Sequence, residues 1–238
     1  MLIAIPSKGR AGKVKSLNVL PSATLFVPEN EVEAYRSLGA KTIVGVPVAV
    51  KGITATRNWI LDNAKDRRVL FVDDDVKVAG WVDLLPFSVR HKRLSEAQWL
   101  TEFGKIFDLL ESLKLRIWGL ATQSAARSVY PWAPFRFRSY VTASCMGIDN
   151  SSSVRFDETF KVKEDYELCL RCLKEDGAIL SAQYIYWENA HWGTAGGCAD
   201  YRTQGMEEDA IRRLMKMYPG IIRRVVRGGS QYSIQLDF

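Results

Sequence analysis

Short apolar runs alternate with segments of helical period along the first third of the chain. Residues 2–6 (LIAIP), 23–28 (ATLFVP), 41–48 (KTIVGVPV) and 68–73 (RVLFVD) read as strands. Between them, Asn30 is placed to cap a short helix reaching Leu38, with Glu33 set for a capping box and Gly39 to end it. Thr54 or Thr56 opens a second helix that runs to about Ala64. Strand and helix in alternation predict an α/β fold with a mainly parallel central sheet flanked by helices.

Farther along, Ser95 and Gln98 open a longer helix whose apolar face holds Trp99, Phe103, Ile106, Leu110 and Leu113. Residues 115–122 and 139–148 read as strands, 164–176 as a helix and 180–187 as another strand. The tail holds a helix near 207–217. IIRRVVR, a GGS turn and QYSIQLDF then suggest a hairpin. No internal repeat, low-complexity segment or linker interrupts the pattern, so one domain is expected.

Composition narrows this only slightly. Of 238 residues, 47% are hydrophobic and 25% charged, a soluble globular balance. No apolar stretch approaches the roughly 18 residues of a membrane span. The start, MLIAIPSKGRAG, lacks a secretory signal's charged head and long apolar run, so the expected location is the cytoplasm. A net charge of +6 favours an anionic partner, although plain enzymes also carry such an excess. Cys145, Cys169, Cys172 and Cys198 are too few and scattered for a disulfide framework. Cys169 and Cys172 fall at helical spacing with Tyr166, Leu170 and Leu173, which predicts packing rather than zinc.

Three consecutive carboxylates, Asp73, Asp74 and Asp75, end the fourth strand. Ligands of open α/β sheets bind beyond the carboxyl ends of strands. Strand alternation would point Asp73 and Asp75 the same way, which suits Mg²⁺ or Mn²⁺ on a diphosphate; the alternative is an exposed acidic turn. After strand one, a small basic loop carries Lys8 and Arg10, whose surroundings suit a nucleotide or a bland turn. Arg57 and Asn58 sit early in the second helix, where a phosphate or ribose, or only solvent, would meet them. Glu164 and Asp165 start a helix: the helix dipole alone favours acids there, and a general base is the functional alternative. His191 follows a strand and precedes a glycine-rich stretch; a lone histidine is more often structural.

These pieces, in this order, resemble a GT-A-fold glycosyltransferase. Asp73-Asp74-Asp75 matches the family's D-x-D, Lys163-Glu164-Asp165 its x-E-D, and His191 stands where a late metal-binding histidine is expected. IPSKGRA, VPENE, GITATRNWIL before VLFVDDD, and GGCADYR are also similar to the phage TET/JBP-associated glycosyltransferases, which are linked with sugar transfer onto 5-hydroxymethylpyrimidines in DNA. The resemblance implies a UDP-sugar donor, UDP-glucose foremost, and Mn²⁺ or Mg²⁺. It places Asp75, His191 and Asp73 on the metal, and Asp73 or Asp74 on ribose or donor sugar. Pro6, Ser7, Lys8 and Arg10, with Arg57 and Asn58, would hold the nucleotide. Asp165 would be the base of an inverting displacement, with Glu164 contacting donor or acceptor.

Residues 127–140 interleave Arg127, Arg136 and Arg138 with Tyr130, Trp132, Phe135, Phe137 and Tyr140. That pattern suits double-stranded DNA carrying a hydroxymethylated pyrimidine, or merely a half-buried strand. Arg212, Arg213, Lys216, Arg223, Arg224 and Arg227 add a basic tail, which suits a DNA backbone or a solvated face. The expected division is a nucleotide-binding half (1–80), an acceptor half (81–205) and a basic extension (206–238), in a cytoplasmic enzyme (the host's cytoplasm if phage-encoded) with no membrane or protein partner. The alternatives are a glycan, lipid or protein acceptor, or an inactive nucleic-acid-binding relative.

Overall fold

The computed structural model describes residues 1–36, 40–85, 88–121, 133–189, 202–227 and 230–237. Its strands are β1 (Leu2–Pro6), β2 (Thr24–Pro28), β3 (Thr42–Val46), β4 (Arg68–Val72), β5 (Val76–Leu85), β6 (Ser88–Arg93), β7 (Ile117–Ala121), β8 (Phe135–Arg136), β9 (Cys145–Asp149), β10 (Leu180–Asn189), β11 (Ile222–Arg227) and β12 (Ser230–Leu236). The helices are α1 (Val32–Tyr35), α2 (Ile53–Asn63), α3 (Glu96–Ser112), α4 (Glu164–Asp176) and α5 (Gln204–Met217). None of the helices among the described residues is long and apolar enough to cross a membrane.

One large sheet runs β3-β2-β1-β4-β9-β7-β10-β5-β6, with β8 pairing β10. Its first four strands are all parallel, as βαβ connections require. Beyond β4 the sheet is mixed: β9 runs antiparallel between β4 and β7, while β7 and β10 are parallel. The parallel character read from the sequence therefore belongs to the first half. The β5–β6 hairpin was not foreseen, although Val76 and Val78 alternate as a strand should.

Side chains of β4 point to opposite faces in turn. Leu70 and Val72 pack with α3 residues Trp99, Phe103 and Leu110, whereas Val69 and Phe71 pack with Ile60 of α2 and Leu168 of α4. Helix α3 begins with the expected capping box between Ser95 and Gln98, and its Phe103 and Phe107 rings lie 5.5 and 5.3 Å from Trp118. Fully burying aromatics of this kind contributes about 1.5–3 kcal/mol each. A third cluster joins α5 and the β11–β12 hairpin to Phe160, Val162 and Leu170. Cys145, Cys169 and Cys172 are buried packing residues.

Two local expectations fail. No capping box forms at Asn30 and Glu33: Glu29–Glu31 is a 3-10 turn, and Glu33 pairs with Arg36 at 3.0 Å. The neighbouring acids are drawn elsewhere, Glu29 to the Val48 amide and Glu31 to the Gly9 amide. The strand expected from 139 begins only at Cys145, because the Thr142 and Ser144 hydroxyls bond each other at 2.8 Å and turn the chain.

Candidate active site

The alternation of β4 continues past its last residue. Asp73 follows Phe71 toward the α2–α4 face, and its Oδ1 accepts from Arg57 Nη2 at 3.1 Å. Asp74 follows Val72 to the other face, where it is buried. Its Oδ2 accepts from Ser7 Oγ at 2.5 Å and its Oδ1 from Arg10 Nη1 at 2.6 Å. The Tyr35 hydroxyl closes this group, 3.0 Å from Ser7 Oγ and accepting from the Arg10 amide at 2.9 Å. Ser16 staples the turn: its hydroxyl donates to the Asp73 carbonyl and accepts from the Val76 amide at 3.0 Å. Both carboxylate oxygens of Asp74 are thus occupied in tying the loop after β1 to the end of β4. Asp74, with Ser7 and Arg10, thereby forms an internal anchor. Pro6 is buried at the end of β1, and Lys8 is exposed on the loop.

Asp75 is different. Its Oδ1 is shut off from solvent and has no hydrogen-bond partner. Burial, then repulsion from Asp73 and Asp74, pushes its carboxyl up to about 6 against the pull of Arg10. Asp73 is raised too, by burial and by Asp74 and Asp165, with Arg57 opposing. About a third of the Asp73 side chain remains open to solvent.

Arg57 joins the two acidic motifs. Gly52, at a φ of 89°, adopts the left-handed region before α2, where a side chain is strained. One turn into α2, the buried Arg57 guanidinium donates to Glu164 Oε1 at 2.7 Å, as well as to Asp73 and the Ala143 carbonyl. Its cation lies 5.5 and 5.9 Å from the ring centres of Phe156 and Phe71. Asn58 is also occupied: its amide brackets the Phe156 backbone at 2.8 and 2.9 Å and reaches Glu158 at 3.0 Å. Both residues, for which the sequence suggested a nucleotide-holding role, are held here by protein partners.

The start of α4 lies opposite. Lys163, in a left-handed conformation at φ 58°, turns the chain into the helix. Its ammonium meets the buried Glu207 of α5 at 3.1 Å, and Arg202 holds the same carboxylate. Burial and the adjacent Asp165 raise the Glu164 carboxyl, with Arg57 pulling down. Asp165 is half-buried. Its Oδ2 accepts from the Tyr140 hydroxyl and, at 3.4 Å, from the Ala143 amide; its Oδ1 accepts from the Tyr166 amide at 2.9 Å.

The remaining expectations scatter. His191, Arg127 and Trp132 lie outside the described residues. Arg136 and Arg138 are exposed, in and just after β8, with the exposed Phe137 between them. Tyr140, grouped with the aromatics that would stack on a base, instead stacks on Tyr166, with ring centres 4.0 Å apart. The tail arginines have local partners: Arg212 meets Asp209, Arg223 Asp237, and Arg224 Glu208, while Arg213 lies over Phe160 and bonds Thr159. Tyr35, Ser16 and Glu207 were missed by the sequence reading, and Tyr140 was read only as one of a row of aromatics. No local pattern marks Ser16, between Lys15 and Leu17, or Glu207, between Met206 and Glu208, as buried.

Asp73 and Asp75 are hard oxygen donors beside one another, and the orphaned Asp75 Oδ1 fits a divalent cation. Among the described residues no group of three potential ligands assembles, so a complete shell needs a donor from elsewhere.

A family model described as TET-associated glycosyltransferase matches residues 1–197. A protein of Enterobacteria phage T6, Beta-glucosyl-HMC-alpha-glucosyl-transferase, is 34% identical over 79 residues, which are 31% of this chain and 28% of that protein. The match thus spans well under half of its curated relative. Among solved structures, glucosyl-3-phosphoglycerate synthase from Mycobacterium tuberculosis, with Mn²⁺, UDP-glucose and phosphoglyceric acid, aligns at a TM-score of 0.55 and 11% identity over 98% of this chain and 85% of that one. S. aureus TarS 1-349 with UDP-GlcNAc aligns at 0.50 and 13% identity over 90% and 67%. At these identities the likeness is one of fold, and that fold is GT-A.

Proposed function

The chain belongs to the TET-associated glycosyltransferase family, and on that premise we propose that it transfers a sugar from a UDP-sugar to 5-hydroxymethylcytosine in DNA by a divalent-cation-dependent inverting displacement. One observation carries the reading. The buried Arg57 guanidinium bridges Asp73, at the end of β4, to Glu164, at the start of α4 and 107 positions along the chain from Arg57. The acidic end of β4 and the carboxylates of the α4 start are thereby brought together, as donor and acceptor require.

In this reading residues 1–80 form the donor half, 81–205 the acceptor half and 206–238 the basic extension. The loop after β1, fixed by Asp74, presents the exposed Lys8 to the UDP phosphates. Asp73 and Asp75 would hold Mn²⁺ or Mg²⁺ with His191, and the cation would supply charge neutralisation for the departing diphosphate. Asp165 removes the proton from the hydroxymethyl oxygen. That oxygen bonds to the anomeric carbon as the bond to the diphosphate oxygen breaks, and UDP leaves. Glu164, held by Arg57, lines the acceptor side. Arg136 and Arg138, with Arg127 and Trp132, would contact DNA phosphates and bases. A DNA acceptor places the work in the cytoplasm, that of the host for a phage enzyme.

The phage T6 relative favours a second reading. Its name specifies α-glucosyl transfer onto β-glucosyl-HMC. UDP-glucose is itself α-linked, so an α product is net retention, and Asp165 would not then be the deprotonating base.

The test incubates the protein with UDP-glucose, Mn²⁺ and duplexes carrying either 5-hydroxymethylcytosine or its β-glucosyl derivative. A β-linked product on hydroxymethylcytosine is expected. An α-linked product, or transfer only to the glucosylated base, moves the assignment to the second reading. Transfer to neither duplex, with UDP-glucose still hydrolysed, removes the DNA acceptor.

A further inference from the structure

Tyr140 belongs to neither acidic motif, yet it touches the carboxylate on which the inverting reading turns. It lies in the loop between β8 and β9, which no hydrophobic pattern marks as special. Its hydroxyl donates to Asp165 Oδ2, and its ring stacks on Tyr166 at an interplanar angle of 12°. The stack holds the phenol ring face-on against one helix-borne ring. Among the described residues, the Tyr140 hydroxyl and the Ala143 and Tyr166 amides donate to Asp165, and Tyr140 is the side chain among them.

We propose that Tyr140 is a positioning residue for Asp165, orienting its carboxylate and favouring the ionised form by donating to it. The need is electrostatic. Asp165 faces two other anions: Glu164, its neighbour on α4, and Asp73 beyond β4. The Cys169 thiol one turn along α4 is buried and neutral. Of the cations nearby, Arg57 on α2 is directed to Glu164 and Asp73, and Lys163 to Glu207 and the Tyr166 ring. Neighbouring anions disfavour the ionised form of a carboxylate, and a protonated acid is no base. A phenol donating to the ionised form counters that tendency, as charge-assisted hydrogen bonds do. Burial and the facing Asp165 raise the phenol's own pKa well above its ordinary value, so it stays a donor throughout the working range.

This inference rests on Asp165 as the base, and one measurement tests it without that premise. Carboxyl ¹³C NMR follows the titration of Asp165 in the full chain, identified by its loss in Asp165→Asn. Tyr140→Phe keeps the ring stack and removes only the donor, and is expected to raise the Asp165 titration midpoint by about one pH unit. An unmoved midpoint overturns the proposal. The second measurement is turnover of UDP-glucose with Mn²⁺ on whichever duplex accepts glucose. In Tyr140→Phe the acid limb of kcat is expected to move up by the same amount, with kcat about tenfold lower at the pH of the wild-type limb and donor KM within twofold. A uniform loss of kcat at every pH would mark a merely structural tyrosine and also overturn the proposal. Full turnover by Asp165→Asn would instead sink the base assignment, while a raised midpoint would still establish what Tyr140 does to the carboxylate.

Discussion

The end of β4 and the start of α4 are both acidic, and they manage their charge differently. At β4 one carboxylate, Asp74, is neutralised by Arg10 and Ser7, while Asp75 keeps an oxygen with no partner. At α4 every carboxylate is engaged: Glu164 by Arg57, and Asp165 by a phenol and two amides. The first corner is left electrostatically incomplete and the second is held in place. In the proposed function a cation would complete the first, whereas the second would pre-aim a proton acceptor.

Substitutions can break this contrast. The largest effect is expected from Asp165→Asn: turnover falls on the order of a thousandfold, the range of a lost general base, while urea unfolding shifts by less than about 1 kcal/mol. Next is Asp74→Ala, which leaves Arg10 without its carboxylate and costs about 3 kcal/mol in the same unfolding measurement. Asp75→Asn, only one residue on, is expected to cost nothing or to stabilise the chelated protein, because it removes repulsion. Equal losses from the two would erase the difference between anchor and open ligand. Calorimetry sharpens it further. Millimolar Mn²⁺ should raise the Tm of the wild type by a few degrees and leave Asp75→Asn unmoved.

The smallest expected effect is on pH dependence. Glu164 holds its proton more tightly in the folded state, with a midpoint raised to about 7 by burial and Asp165. Between the ordinary carboxylate range and that midpoint, the folded chain binds more protons than the unfolded one. Stability therefore falls as pH rises through the window. Chelated protein should melt higher at pH 5 than at pH 7.5, and Glu164→Gln should flatten that slope. An unchanged slope would show that Arg57 fully compensates Glu164.

Much of this architecture was legible in the chain. The β-α alternation of residues 1–72, the Ser95–Gln98 cap and the Glu164 helix start all rest on local periodicity and capping, and all are present. The antiparallel insertion of β9 was not legible, because the direction of a strand depends on where the chain returns from. The same limit hid the partners of the site. Arg57 and Asn58 look like solvent-facing residues at a helix start until α4 and the Phe156 segment are laid against them. Tyr140 read as one aromatic among several because its partner, Asp165, is 25 positions on and in another element. Residue type announced which groups were able to carry charge, and only tertiary placement decided which of them were neutralised.

The two-residue parity of β4 has a consequence for how this motif tolerates change in length. Asp73 and Asp74 divide their work because they leave the strand on opposite faces. Inserting or deleting one residue among Val69–Val72 would exchange their addresses, sending the anchor's carboxylate toward Arg57 and the other toward Ser7 and Arg10. Three aspartates in a row partly absorb such a slip, since an acid still arrives at each address. A motif with a single spaced pair has no such redundancy. The uninterrupted triplet thus acts as an error-tolerant spelling of the corner, at the cost of a crowding that adds to burial in leaving Asp75 reluctant to ionise.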